Sequence, residues 1–128
     1  MTKATFYEEY LKEVLAPNKA PEARFFPYLS GDRHRIKRKS GAFTRLTLNT
    51  DRDDLLLALA HGIIAFQIES ISEWKKRVQL SSEICHVGGG ASDAYTGYKQ
   101  RLLKNYRFVQ LGETTLSGAA ILAMDALK

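Results

Sequence analysis

Thr50-Asp51-Arg52-Asp53-Asp54 opens a stretch that continues as Leu55-Leu56-Leu57-Ala58-Leu59-Ala60-His61-Gly62-Ile63-Ile64-Ala65-Phe66-Gln67-Ile68 and then runs from Glu69 to Leu80. Acids come first, an apolar middle follows, and Lys75-Lys76-Arg77 lies near the end. That order matches the partial charges of a helix, positive at its N-terminus and negative at its C-terminus. The spacing predicts one long helix over residues 50–80. Thr50 with Asp53 is the expected capping pair. Leu56, Leu59, Ile63 and Phe66 share one face, and from Leu55 to Ile68 the opposite face is apolar too, so neighbours must cover both sides. Gly62 costs such a helix about 1 kcal/mol relative to alanine. A close crossing by another helix, or a bend, would explain its presence. The small residues Ser117, Gly118 and Ala119 are the first candidates for the crossing element.

Working outward, Thr2 or Thr5 is expected to cap a first helix ending near Ala16, with Tyr7, Leu11, Val14 and Leu15 on its inner face. All three prolines fall between Pro17 and Pro27, which argues against a helix there. That segment holds the aromatic run Phe25, Phe26 and Tyr28. It reads either as a loop that tucks rings into the core or as an exposed docking patch. Ser30-Gly31-Asp32 and Ser40-Gly41 are turns. Phe43 to Leu48 has partial alternation and could be a short strand, pairing with Arg33–Arg38 or with Tyr106–Leu111. After Gly88-Gly89-Gly90, Ser92 caps a helix that carries Tyr95, Tyr98, Leu102 and Tyr106 along one stripe. A last helix spans Leu116 to Leu127. The fold class expected is all-α or mainly α. It would be a compact bundle of about four helices around one long central helix, with at most a small two-stranded hairpin. A chain of 128 residues is expected to form one domain, 1–128.

Charge is unevenly placed. The chain has 19 basic and 14 acidic residues, a net +5. Arg33, Arg35, Lys37, Arg38, Lys39 and Arg45 lie in one segment without a single acid, so the rest of the chain is close to neutral. Such a strip can track a phosphate backbone by displacing condensed counterions. Lys99, Arg101, Lys104 and Arg107 flank the tyrosines and would extend the basic surface. Contacts of this kind position a protein without reading bases, and no helix-turn-helix, ribbon or finger pattern is present. The expected function is therefore a small non-enzymatic nucleic-acid-binding protein, with RNA or single strands favoured over duplex DNA. The alternative is a protein-interaction or inhibitor module docking through Arg24–Leu29 and the basic strip. A homodimer covering the long helix is a further expectation.

Other chemistry has less support. His34, His61, Cys85 and His86 lack metal-ligand spacing, so no metal is expected. The triple glycine ahead of Ser92 resembles an anion-binding loop. However, no Walker pattern occurs, no strand clearly precedes it, and Asp93 would repel an anion, so a hinge is the preferred reading. Cys85 beside His86 has no fixed geometry for catalysis. Neither an enzyme centre nor a cofactor is expected. The single cysteine and the absence of a signal-peptide pattern suggest a cytoplasmic protein. The 14-residue apolar run is shorter than the roughly 20 residues that a spanning helix needs, so no membrane partner is expected.

Overall fold

The computed structural model describes residues 1–32, 38–88, 92–112 and 114–126. The chain divides into two compact units, Met1–Leu80 and Ser81–Lys128.

In the first unit, helix α1 is built from three consecutive segments, Lys3–Thr5, a π-helical turn Phe6–Tyr10, and Leu11–Leu15. Thr2 caps it by accepting from the backbone N–H of Thr5 at 3.2 Å. Leu11, Val14 and Leu15 are buried as the sequence spacing predicts, whereas Tyr7, expected on the same face, is exposed. Strand β1, Arg24–Phe26, pairs antiparallel with β2, Ala42–Thr44. The register sets Arg24 opposite Thr44 and Phe25 opposite Phe43. Phe25 is buried between two exposed neighbours, and its ring lies 4.7 Å from that of Phe43. Two strands of three residues are not stable alone. Helix α2, Arg52–Lys75, supplies the support by packing against β1.

Helix α2 starts one residue later than Thr50 predicts. Asp51 is the N-cap, accepting from the Asp54 N–H at 2.8 Å, while the Asp54 carboxylate accepts from the Asp51 N–H at 3.4 Å. Thr50 instead closes the preceding turn, its hydroxyl accepting from the Thr47 N–H at 2.8 Å. The helix ends at Lys75 rather than near Leu80. Its buried residues are Leu57, Ala58, Ala60, Gly62 and Ile64, mostly small, so a backbone can approach closely. The approaching backbone is that of β1: a Cβ on Gly62 would overlap the carbonyl oxygen of Phe25. The close approach expected at Gly62 is real, but a strand makes it. Gly118, by contrast, has open space where a Cβ would be. At 24 residues α2 is long and apolar enough to cross a membrane by length and composition. A core helix passes the same test.

In the second unit, β3, Glu83–His86, and β4, Arg107–Gln110, form a parallel pair. Helix α3, Asp93–Leu102, lies between them in sequence. This makes a strand–helix–strand crossover, since parallel strands cannot be joined by a tight turn. The side chain of Gln100 stitches α3 to β4. Its amide donates to the Tyr106 carbonyl at 2.6 Å, and its carbonyl accepts from the Phe108 N–H at 3.3 Å. Helix α4, Thr114–Ala126, has no buried residue.

The fold class read from the sequence is thereby corrected. The described residues do hold four helices, but the chain is not a bundle around a central helix with at most one hairpin. Its described residues form two two-stranded sheets, one antiparallel and one parallel. The long helix packs on strand β1 as well as on α1. The proline segment read as a loop contains β1, because Arg24–Phe26 lies clear of Pro21 and Pro27 and keeps its backbone donors. The strand predicted within Phe43–Leu48 exists in part and pairs with Arg24–Phe26; of its expected partners, Tyr106–Leu111 contributes to the other sheet, and residues 33–37 lie outside the described residues. Of the parallel pair, β4 falls in the stretch Tyr106–Leu111 that the sequence offers as a strand, whereas the four residues Glu83–His86 show too little alternation to stand out.

Candidate functional site

The element that gathers most chemistry is the crossover of the second unit. Strand β3 runs into Val87 and Gly88, and the sequence continues Gly89, Gly90, Ala91 before Ser92 caps α3. Residues 89–91 lie outside the described residues. Gly88 has φ +88°, a conformation open to glycine and costly for other residues. Ser92 is extended and its hydroxyl accepts from the Tyr95 N–H at 3.4 Å. The strand that seemed absent before the glycines is thus present. The sequence runs from a strand through three glycines to a helix N-terminus, where the first-turn backbone N–H groups have no helical partners and can receive an anion. Asp93, exposed in the first turn of α3, stabilises the helix dipole and opposes an incoming anion.

A polar cluster joins β3, α3 and β4. The His86 Nε2 is 3.5 Å from the Thr96 hydroxyl, and its ring packs edge-on against Phe108 at 5.8 Å. The His86 Nδ1 and the Tyr95 hydroxyl are buried without a hydrogen-bond partner among the described residues. Lys99 is 8% exposed. Its ammonium lies 4.8 Å from the Tyr95 ring centroid and 5.8 Å from that of Phe108. Burial pushes the Lys99 pKa down. The same burial, aided by the Lys99 charge, lowers that of His86. Burial, and secondarily Tyr98, pushes the Tyr95 hydroxyl up to about 12. Each shift has one sense: the site favours neutral groups.

The cations expected to bind nucleic acid fall into three sets. Arg33, Arg35 and Lys37 lie outside the described residues. Arg38, Lys39 and Arg45 belong to the first unit. Lys39 is engaged there: it donates to the Tyr28 hydroxyl at 2.9 Å, stands 4.2 Å from that ring centroid, and pairs with the buried Asp32 carboxylate at 3.3 Å. The Tyr28 bond, with Asp32 behind it, raises the Lys39 pKa. Arg38 and Arg45 are exposed. Lys99, Arg101, Lys104 and Arg107 belong to the second unit. Lys99 is buried, Arg101 lies over the Tyr98 ring at 5.3 Å, and Arg107 is ion-paired with Glu83. Lys104 is exposed. Helix α3 ends at Leu102, so Tyr106 lies beyond it. Tyr98 and Tyr106 are both buried.

The aromatic patch is divided in the same way. Phe25 is in the core, Phe26 is 41% exposed, and Tyr28 is half-buried against Phe66, with the rings 5.9 Å apart and perpendicular. Cys85 is exposed. Among the described residues no group of three or more His, Cys, Asp or Glu side chains is placed to hold a metal ion.

No family model matches this chain. No curated protein matches it either. Solved structures do. The xylulose kinase of Rhodospirillum rubrum superposes with a TM-score of 0.70 at 21% identity, over 86% of this chain and 24% of that one. A xylulose kinase of Brucella ovis gives 0.64 at 26% identity, over 82% and 22%. That of Bifidobacterium adolescentis gives 0.66 at 24% identity, over 81% and 21%. The chain spans about a fifth to a quarter of the length of each. Its fold is therefore an enzyme-related one, similar to part of three sugar kinases.

Proposed function

We propose that this chain provides one part of a sugar-kinase fold, and that its second unit holds the phosphate end of a nucleotide at the glycine loop ahead of α3. The observation that carries the reading is the order of elements between Glu83 and Gln110. A parallel strand pair is joined through a sequence holding three consecutive glycines and a capped helix. In such an arrangement backbone N–H groups and the helix dipole attract phosphate without needing a basic side chain. Kinase chemistry consists largely of positioning phosphates and stabilising their charge, so such a loop suits it. Xylulose, or a related ketose, is the acceptor that the similar structures suggest, and a cytoplasmic location accompanies the reading.

The test is titration of the full chain with ATP, followed by amide NMR. Saturable displacement of the Gly88, Thr96 and Ser92 signals is the expected result, with tighter binding after Asp93→Asn. Absence of any displacement at millimolar ATP would falsify the reading.

A polyanion-binding role for the strip from Arg33 to Arg45 is a second and separate proposal. It is supported by six cations without an acid. Oligonucleotide binding that weakens steeply with salt, and is lost when Arg35, Lys37 and Arg38 become alanine, is its expected signature. Docking of a protein partner on the Phe26 and Tyr28 surface, or pairing of two copies, would appear as mass gained in light scattering.

A further inference from the structure

The first unit holds a cavity of about 440 Å³ between β1 and α2. A volume of that order is typical of small-molecule pockets. Its chemistry is asymmetric. Arg24 and Arg45 line it together with His61, and the apolar wall includes Phe26, Tyr28 and Phe66. Among the described residues Glu69 is the only acid lining it. Neither Arg24 nor Arg45 has an ion pair or side-chain hydrogen bond to a described residue.

The register explains how the two arginines come to line one cavity. Arg24 opposes Thr44 across the sheet, so Arg45 directly follows Arg24's partner. Arg45 has φ +59° and is the only non-glycine residue with positive φ among those described. That conformation costs an arginine about 1–2 kcal/mol. Backbone strain of this kind is concentrated at functional positions. His61 reaches the same cavity from α2. Its pKa is lowered by burial first and by the Arg24 charge second. An unneutralised cation is thus felt by the imidazole.

We propose that this cavity binds a small organic oxyanion, with a phosphate monoester or carboxylate head between Arg24 and Arg45 beside His61, and a flat apolar body against Phe26, Tyr28 and Phe66. Guanidinium groups suit such heads because their planar donors match two oxygens at once. The site lies wholly within the first unit and does not depend on the nucleotide reading of the second.

The test follows the His61 imidazole of the full chain by NMR across pH. The probes are phenyl phosphate, benzoate, inorganic phosphate and neutral benzyl alcohol. Phenyl phosphate or benzoate, or both, should raise the His61 pKa saturably, because a bound anion favours the imidazolium. Whichever binds identifies the head group. The organic anion should bind about tenfold more tightly than inorganic phosphate, from burial of its ring. Arg24→Gln and Arg45→Gly should each abolish the shift. Glycine suits φ +59°, so Arg45→Gly removes the charge without endangering the fold. Four results would overturn the proposal: no shift with either organic anion, equal binding of inorganic phosphate, the same shift with benzyl alcohol, or a shift that survives both substitutions. A change at His86 with none at His61 would assign the anion to the other unit and overturn it as well.

Discussion

Gly62 of α2 lies directly against the main chain of Phe25 in β1. A Cβ at position 62 would overlap the Phe25 carbonyl oxygen and come within 3.0 Å of its carbonyl carbon and 3.1 Å of its Cβ. A strand backbone cannot yield as a flexible side-chain tip can. Gly62→Ala is therefore expected to destabilise the first unit by about 2–3 kcal/mol, even though alanine favours an isolated helix by about 1 kcal/mol. Urea unfolding followed by tryptophan fluorescence measures it. A stabilised variant would mean that β1 does not pack at Gly62.

Arg45→Gly carries the opposite sign. Removing a side chain from φ +59° relieves about 1 kcal/mol or somewhat more, partly offset by the greater freedom of glycine in the unfolded chain. The melting temperature should hold or rise. A fall of several degrees would show that the arginine side chain contributes contacts that outweigh its strain.

Gln100→Leu removes both bonds between α3 and β4, leaving the Tyr106 carbonyl and the Phe108 N–H without their side-chain partner. A cost of about 1–3 kcal/mol is expected. Faster amide exchange at Phe108 should accompany it. Unchanged exchange would show that the parallel pair needs no such stitch.

Asp93→Asn separates stability from binding. The exposed carboxylate in the first turn of α3 contributes about 0.3–1 kcal/mol through the helix dipole, and that is lost in the variant. Repulsion of phosphate is lost as well, so ATP should bind several-fold more tightly. Equal or weaker ATP binding in the variant would place the nucleotide away from this helix end.

The pH dependence of stability follows from the buried groups. His61 and His86 have folded pKa values below 6.5, so between those values and 6.5 the unfolded chain binds more protons. Stability therefore falls as pH drops below 6.5. For Tyr95, raised from 10.0 to about 12, the unfolded chain loses its proton first, so stability falls as pH rises from 10 toward 12. Lys99, lowered from 10.5, adds stability as pH rises toward 10.5. Lys99→Met should abolish that rise and be tolerated, since methionine fills the space without a charge to desolvate. A flat profile below pH 6.5 would contradict the burial of both histidines.

Two helix caps and part of one inner face were legible from residues alone, whereas the long helix buries Leu57, Ala58, Ala60, Gly62 and Ile64 rather than the stripe Leu56, Leu59, Ile63 and Phe66. Thr2 and Ser92 cap the helices that their positions predict, and Leu11, Val14 and Leu15 are inside. Capping and amphipathic spacing are local physics: a hydroxyl and a free N–H three residues apart, or side chains repeating every 3.6 residues, need no distant partner. The basic strip was equally plain as composition. What tertiary structure decided is everything that depends on partners far along the chain. Arg24–Phe26 becomes a strand only because Ala42–Thr44 pairs with it and α2 packs against it. Glu83–His86 is a strand only because Arg107–Gln110 lies parallel to it. That pairing places a strand ahead of the triple glycine, where the sequence shows none clearly. Gly62 was identifiable as a close contact, but not the strand that makes it. Segments this short carry too little pattern of their own, and the energy that selects their pairing comes from contacts that exist only after the chain has folded.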